Sequence, residues 1–440
     1  MPSRSDATAA NELAAPATPL PRLLLAMTSS NVGALVALLT PLQLLLTLQV
    51  TRIAGDGAAG AFGVITGFGA LFALVANPLA GRISDRTAAR FGRRRTWMLS
   101  GALAGSLVVF AHAFTTEVWQ VAVVWCATQT IFNFQLAATS ALLADQVPAG
   151  RRGTVSGFIG LAAAVGPLIG IAGVSASSQL VVQWGVVAVV AALLGVLAVV
   201  LLRDPQHPRA AGQPGLGLVE LVKSYWLNPW RHPAFGWAWL VRFLITCGFA
   251  SGTYNAIFVM ERFDIAPESV SGVVLVMSLL NVVVLAITSA VSGLVSDRVR
   301  RQKPFVIAGG VIAAAALVLQ ATAPTLGVVY VAVTLLGLGV GLFLSIDGAL
   351  CVRVLPSSEN AGKDFAIINL ANTLPQSIVP FVAPFLLGVG GFPALYLTLA
   401  VCGVLGALAV LRLPEIGREG DPRWAPITRP DAAQAPATVS

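Results

Sequence analysis

The sequence predicts an all-α membrane protein with twelve transmembrane helices in two pseudo-symmetric six-helix halves. Three observations carry that expectation. The 440-residue chain is 56% hydrophobic and only 10% charged, whereas a soluble domain averages about a quarter charged residues. Its Lys and Arg cluster in short stretches between long apolar runs. A polar stretch, Gly81-Arg82-Ile83-Ser84-Asp85-Arg86, is followed by Arg90 and Gly92-Arg93-Arg94-Arg95, and it has an echo 212 residues later. The echo is Gly293-Leu294-Val295-Ser296-Asp297-Arg298, followed by Arg300, Arg301 and Lys303.

A bilayer with a hydrocarbon core of about 30 Å is crossed by roughly 20 apolar residues in a helix. Runs of that length occur at 23–50, 58–80, 96–114, 118–143, 155–174 and 180–202 in the first half. In the second half they occur at 234–260, 270–295, 305–321, 326–352, 365–387 and 392–411. They are expected to be helices, because a chain in lipid must satisfy its own backbone hydrogen bonds. Domain organisation follows: a tail over 1–22, a six-helix bundle over 23–202, a linker over 203–233, a second bundle over 234–411 and a polar tail over 412–440. Residues 1–21 lack the basic-then-apolar layout of a cleaved signal peptide, so the first run is expected to remain as a membrane helix.

Twelve spans place both termini on one side. Of the 27 Lys and Arg, only Arg52 and Arg262 then fall in loops on the far side and Arg242 falls within a span; the other 24 lie on the terminal side. That bias predicts cytoplasmic termini in a cell (plasma or inner) membrane. The net charge of +8 is spread over loops and does not form one basic face, which argues against nucleic-acid binding. Cys126, Cys247, Cys351 and Cys402 fall in or beside apolar runs without metal-like pairing, and free buried thiols are expected.

The repeat extends beyond the polar stretch. Pro148 and Pro167 around the fourth and fifth runs are matched by Pro356 and Pro375 around the tenth and eleventh, at an offset of 208 residues. Two parallel halves with a solute path between them fit this pattern. A glycine, three residues, Asp-Arg and a basic cluster resemble the signature of the major facilitator superfamily. The resemblance implies a gating motif at Gly81, Asp85, Arg86, Arg90 and Arg94, with Gly293, Asp297, Arg298 and Arg301 as its second copy. It also implies that the motif latches one side of the transporter, being bonded in the outward-open state and broken on the return stroke, and that the protein is a monomer. Asp85 suits such a role through an arginine partner or the positive N-terminus of a neighbouring helix. The arginines alone could equally serve topology. Asp145, at the inner end of span four, either joins this network or is a solvated helix end.

The string Arg90-Phe91-Gly92-Arg93-Arg94-Arg95 resembles glycoside–cation symporters and sucrose transporters more closely, as does Leu370-Ala371-Asn372-Thr373-Leu374-Pro375-Gln376. That resemblance implies a sugar substrate and proton coupling. Proton-coupled sugar carriers usually hold a carboxylate within the first half, yet spans one to five contain no Asp or Glu away from their inner ends. Ionisable residues inside a membrane mark function by default. Here they are Arg242 in span seven and Asp347 in span ten, which could pair across the second half; Arg242 could instead snorkel to the interface. The histidines at 112, 207 and 232 fall at helix ends or in the linker, which argues against a histidine relay.

Candidate cavity residues are Asn31, Gln43, Gln129, Asn133, Tyr254, Asn255, Asn281, Asn369, Asn372 and Gln376. Amides supply the donors and acceptors a hydroxylated solute needs, and a tyrosine can stack on a sugar ring. Each could instead be an interhelical hydrogen bond. The pairs Gly101/Gly105 and Gly166/Gly170 are expected at close helix contacts. The reading is a secondary transporter of a small organic solute working by alternating access, either a proton-coupled sugar or glycoside symporter or an exporter of amphipathic compounds. A primary pump is excluded for want of a phosphate-binding Gly-x-x-x-x-Gly-Lys-Ser/Thr loop. No cluster with catalytic or metal-ligand spacing is present in the sequence, so no enzyme activity, cofactor or metal is expected.

Overall fold

The computed structural model describes residues 18–87, 89–148, 151–204, 233–299, 302–353 and 361–413. Both tails, most of the linker, Arg301 and Pro356 lie outside them. Among the described residues every regular element is helical. We number the helices α1 (Leu20–Ala54), α2 (Ala58–Arg86), α3 (Arg93–Phe114), α4 (Val118–Asp145), α5 (Arg152–Val174) and α6 (Leu180–Leu201) in the first half. The second half holds α7 (Pro233–Phe263), α8 (Pro267–Val299), α9 (Lys303–Ala321) and α10 (Leu326–Arg353). A last helical stretch, Ala361–Ala409, breaks at Gly390 and at Gly391, whose φ of 63° is in the left-handed region that glycine tolerates best. It is therefore two spans, α11 (361–389) and α12 (392–409).

All twelve expected spans are present, and most run a turn past their apolar runs. Hydrocarbon thickness fixes the apolar length, but the helix continues through the headgroup layer, where charged side chains are wetted. As a result Gly81–Arg86 and Gly293–Arg298 are not loop residues. They form the last turns of α2 and α8.

Small residues decide which helices touch. Gly101 and Gly105 of α3 lie against Gln135 and Phe132 of α4; Gly166 and Gly170 of α5 lie against Leu35 and Thr40 of α1, as the spacing suggested. Gly33 of α1 meets α6 at Ala191, and Gly406 of α12 meets α7 at Ile245. Gly309 of α9 meets α10 at Gly339, repeating the α3–α4 contact in the second half. Each half thus packs by the same scheme, α1 on α6 as α7 on α12 and α3 on α4 as α9 on α10.

The halves meet through α2 with α11, α5 with α8 and α1 with α7. The α2–α11 contact is uneven along its length. A Cβ at Gly63 would overlap Pro384 and come within 3.0 Å of the Pro380 carbonyl oxygen; one at Gly67 would come within 3.0 Å of the Phe381 ring. At the other end of α2, a Cβ at Gly81 would meet nothing within 4 Å. The two helices are in contact at the end remote from the basic stretches and part toward the end that carries them.

Near that contact both α1 and α7 lose regular α-helical form. Pro41–Leu45 is a π-turn, which follows from a proline that cannot donate in the helix and forces the hydrogen bonds to shift. Ala250–Tyr254 is a 3₁₀ turn. The two begin 209 residues apart, within one residue of the 208-residue offset of the prolines, and they touch one another across the halves. Phe62 of α2 packs edge-on against Tyr254 at 5.3 Å between ring centres, and the Tyr254 hydroxyl donates to the Pro380 carbonyl at 3.2 Å. Tyr254 thus ties α2, α7 and α11 together at the closed end.

Replacing Gly63 with leucine inserts a side chain where backbone and proline now touch, an overpacking cost of about 1–3 kcal/mol paid only in this state. The expected outcome is opening at the remote end, read as faster labelling of a Gly60→Cys reporter by a membrane-impermeant maleimide. Unchanged labelling would mean that the contact does not hold that end shut.

Candidate functional site

Three polar assemblies lie within or beside the bundle, and the first is built on the basic stretch. Gly92 has a φ of 100° and lies so close to Asp204 that a Cβ there would come within 2.6 Å of its carboxylate, so glycine is needed on both counts. It turns the chain into α3, whose first residues are Arg93, Arg94 and Arg95. The free backbone N–H groups of Arg94 and Arg95 donate to Asp204 Oδ2 at 2.6 and 3.0 Å. A carboxylate from the end of α6 thereby satisfies the N-terminus of α3, where the helix dipole favours negative charge. Nothing in the sequence paired Asp204; its only signal was an acid immediately after an apolar run.

Arg94 is 3% exposed. Its guanidinium donates to Asp85 Oδ1 at 2.5 Å, to Ser84 Oγ at 2.8 Å and to Asp145 Oδ2 at 2.9 Å. Arg93 Nη2 also reaches Asp145, at 2.9 Å. Asp145 is therefore a member of the network and not merely a solvated helix end, and Arg94 does more than set topology. The knot joins the ends of α2, α3, α4 and α6, all within the first half. Gln146 and Thr18 extend it: Gln146 Nε2 and Thr18 Oγ1 both donate to the Arg203 carbonyl, at 2.9 and 3.1 Å. The Asp85–Arg94 pair is intact here although α2 and α11 are apart at this end. Both members belong to the first half, and Asp85, about half exposed, keeps an accessible edge. Arg86 and Arg90 lie in or beside this stretch, and Arg298 is exposed at the corresponding end of α8. The Asp297 side chain lies outside the described set.

The second assembly is the pair between Arg242 of α7 and Asp347 of α10, at 3.1 Å with both side chains largely buried. Arg242 therefore turns inward to a carboxylate and does not snorkel. Around the pair are Val241, Ile245, Phe343 and Ile346. Two charges in such surroundings are tolerable only as partners.

The third assembly is the set of amides. Asn281 Nδ2 donates to the Val333 carbonyl at 2.9 Å, and Asn255 accepts from Gln320 at 2.8 Å, so both serve helix contacts. Asn31 is buried and donates to the Met27 carbonyl on its own helix. Tyr254 is fully buried at the closed end. The Asn369 side chain lies outside the described set. Gln129 and Asn133 of α4 are joined to each other, and Asn133 accepts from Asn77 of α2 at 3.3 Å. Asn77, beside Pro78, was not singled out by sequence, because one amide in an apolar run has no pattern.

Gln43, Asn372 and Gln376 make no hydrogen bond among the described residues, and Gln376 is exposed. Their level is informative. At about 1.5 Å per residue, Gln376 and Asn372 lie roughly 7 and 13 Å from Phe381, toward the end where α11 leaves α2. Gln129 sits beside Gly69 of α2, a half-turn past the same contact. Gln129, Asn133 and Asn77 of the first half and Asn372 and Gln376 of the second therefore lie at levels just past the α2–α11 contact, toward the basic end.

One further residue departs from expectation. His112 is at the end of α3 but fully buried, stacked on Trp184 at 4.4 Å between ring centres and edge-on to Trp125. Its helix-end position in sequence gave no sign of this, since the covering rings come from α4 and α6.

Replacing Arg94 with alanine removes hydrogen bonds to Asp85, Ser84 and Asp145; because Asp85 is about half exposed and Asp145 keeps Arg93, the cost is about 2–3 kcal/mol. Arg93→Ala, with one partially exposed pair, costs about 1 kcal/mol or less. Thermal unfolding in detergent should show the large shift for the first variant and a small one for the second. Equal shifts would contradict the central place of Arg94.

Comparison with known proteins places this geometry. Crystal structures with the same fold include a D-xylose–proton symporter, at 16% identity and TM-score 0.65, covering 90% of this chain and 99% of that one. A nucleoside transporter matches at 15% identity and TM-score 0.64, over 88% and 99%. A peptide transporter in complex with sulfate matches at 12% identity and TM-score 0.70, over 89% and 94%. No curated protein sequence matches significantly. The sequence profile described as Major Facilitator Superfamily matches residues 23–292 and 275–437, nearly the whole chain. The chain is a multi-pass membrane protein and belongs to the major facilitator superfamily, a family of transporters.

Proposed function

We propose that the protein is a secondary active transporter of a small hydroxylated solute, a sugar or glycoside, working by alternating access and coupled to protons. The observation that carries the solute class is the level of the amides, with Gln129, Asn133 and Asn77 of one half and Asn372 and Gln376 of the other just past the α2–α11 contact toward the basic end. Paired donors and acceptors without a charge suit hydroxyl groups. The Arg90–Arg95 and Leu370–Gln376 strings, with their likeness to the glycoside–cation symporters and sucrose transporters, support the same class. So does the D-xylose–proton symporter among the structures of like fold.

Coupling is assigned to Asp347, in place of an acid in the first half. A proton on its carboxylate removes the charge that holds Arg242 and loosens α7 from α10; loss of the proton restores the 3.1 Å pair. The bias of basic residues toward the terminal side supports cytoplasmic termini, so that the closed end faces outward and the parted end faces the cytoplasm. In the opposite state, with the basic ends together, the accessible edge of Asp85 and its counterpart Asp297 would latch the halves.

Uptake of a labelled disaccharide panel into proteoliposomes, with and without an inward proton gradient, tests this reading. The expected outcome is gradient-driven accumulation, reduced to equilibration in Asp347→Asn and slowed in Asp85→Asn. Movement indifferent to the gradient would overturn the coupling. No movement of any sugar would overturn the solute class and favour export of amphipathic compounds.

A further inference from the structure

Cys247 of α7 and Cys402 of α12 have no counterpart in the reading above. Both are free thiols, Cys247 buried and Cys402 partly exposed. Their helices run antiparallel and are drawn together by Gly406, where a Cβ would lie 2.7 Å from Ile245 Cγ1 and 3.3 Å from Leu244 Cβ. One turn back along α12 from Gly406 is Cys402; a half-turn on along α7 from Ile245 is Cys247. The two thiols therefore lie at neighbouring levels of two helices in direct contact. Cys126 lies on α4 in the first half. The location gives the pair a consequence, because Cys247 sits three residues before Ala250, where the 3₁₀ turn of α7 begins. That turn reaches Tyr254 and the contact between the halves.

We propose that Cys247 and Cys402 form an oxidisable dithiol which, as a disulfide, fastens the base of the α7 turn to α12 and stiffens the closed end. The oxidant is a small two-electron acceptor such as a peroxide. Cys402, the more accessible thiol, attacks the peroxide oxygen, giving a sulfenic acid and one water. The Cys247 sulfur then displaces the hydroxyl from the Cys402 sulfur. The S–S bond forms, the two S–H hydrogens leave in water, and each peroxide becomes two waters in all. Reduction by an added dithiol reverses the step. Fixing two helices at this point restricts the local opening that backbone exchange reports.

The test uses the full chain with Cys126→Ser and Cys351→Ser, so that only these two thiols remain. Hydrogen peroxide should remove two hydrogens from the intact mass and block alkylation at both positions. Hydrogen–deuterium exchange over residues 250–259 should slow, and reduction should restore it. Adding either Cys247→Ser or Cys402→Ser should abolish the slowing, and having both variants covers the failure of one to fold. Thiols that stay alkylatable after peroxide would overturn the proposal, as would a disulfide that leaves exchange in that segment unchanged. None of these readouts requires a transported solute, so the result is independent of the solute and coupling proposed above.

Discussion

The structure depends on one steric constraint, the close approach of α2 to α11 at one end and their separation at the other. Contact at Gly63 and Gly67 is possible only because no side chain stands between the helices there, and Gly81 meets nothing. The pair therefore forms a wedge, and so one end of the path is shut while the amides lie just past the contact. The α5–α8 pair holds the equivalent place under the pseudo-twofold relation. The two irregular turns, in α1 and α7, meet at the same closed end. A π-turn and a 3₁₀ turn replace regular hydrogen bonds with less favourable ones, which makes these the segments of α1 and α7 least costly to reshape.

Charge is used differently in the two halves. In the first, Arg94 is an assembly point: a buried guanidinium with three side-chain partners gathers the ends of α2, α3 and α4, while Asp204 closes the N-terminus of α3. This knot makes the first half a firm body at its basic end. In the second, Arg242 and Asp347 stand inside an apolar cluster with each other as partner. A pair in such surroundings is sensitive to neutralisation, because losing one charge removes the attraction that offsets the burial of the other. The first arrangement suits holding a shape; the second suits changing one.

Much of the fold was legible in the sequence because lipid imposes a coarse and strong rule. Apolar length gave the twelve spans, and the repeated Gly-x-x-x-Asp-Arg stretch and paired prolines gave the two halves. Pairing of Arg242 with Asp347 was also legible, since a lone charge in lipid needs a partner. What was not legible depends on contacts between distant segments. Asp204 reads as the first acid of a linker until α3 is brought to it, and Asn77 and His112 gain their surroundings only from neighbouring helices. Among the amides, sequence could not separate Asn281, taken up by a carbonyl of α10, from Gln376, which is exposed. The Gly81 and Gly293 stretches read as loops because their charges interrupt the apolar runs, although helix continues through them.

Rocking of the halves about this wedge is most directly tested by measuring two distances in one protein under turnover conditions. Spin labels at Gly60 and Gly388 report the remote end of α2 and α11, and labels at Gly81 and Leu370 report the basic end. These positions leave Arg94 and the amides intact, and Gly60, Gly388 and Gly81 have open space around them. The account predicts two populations in which one distance lengthens as the other shortens. Distances that rise and fall together, or a basic end that never closes, would contradict it.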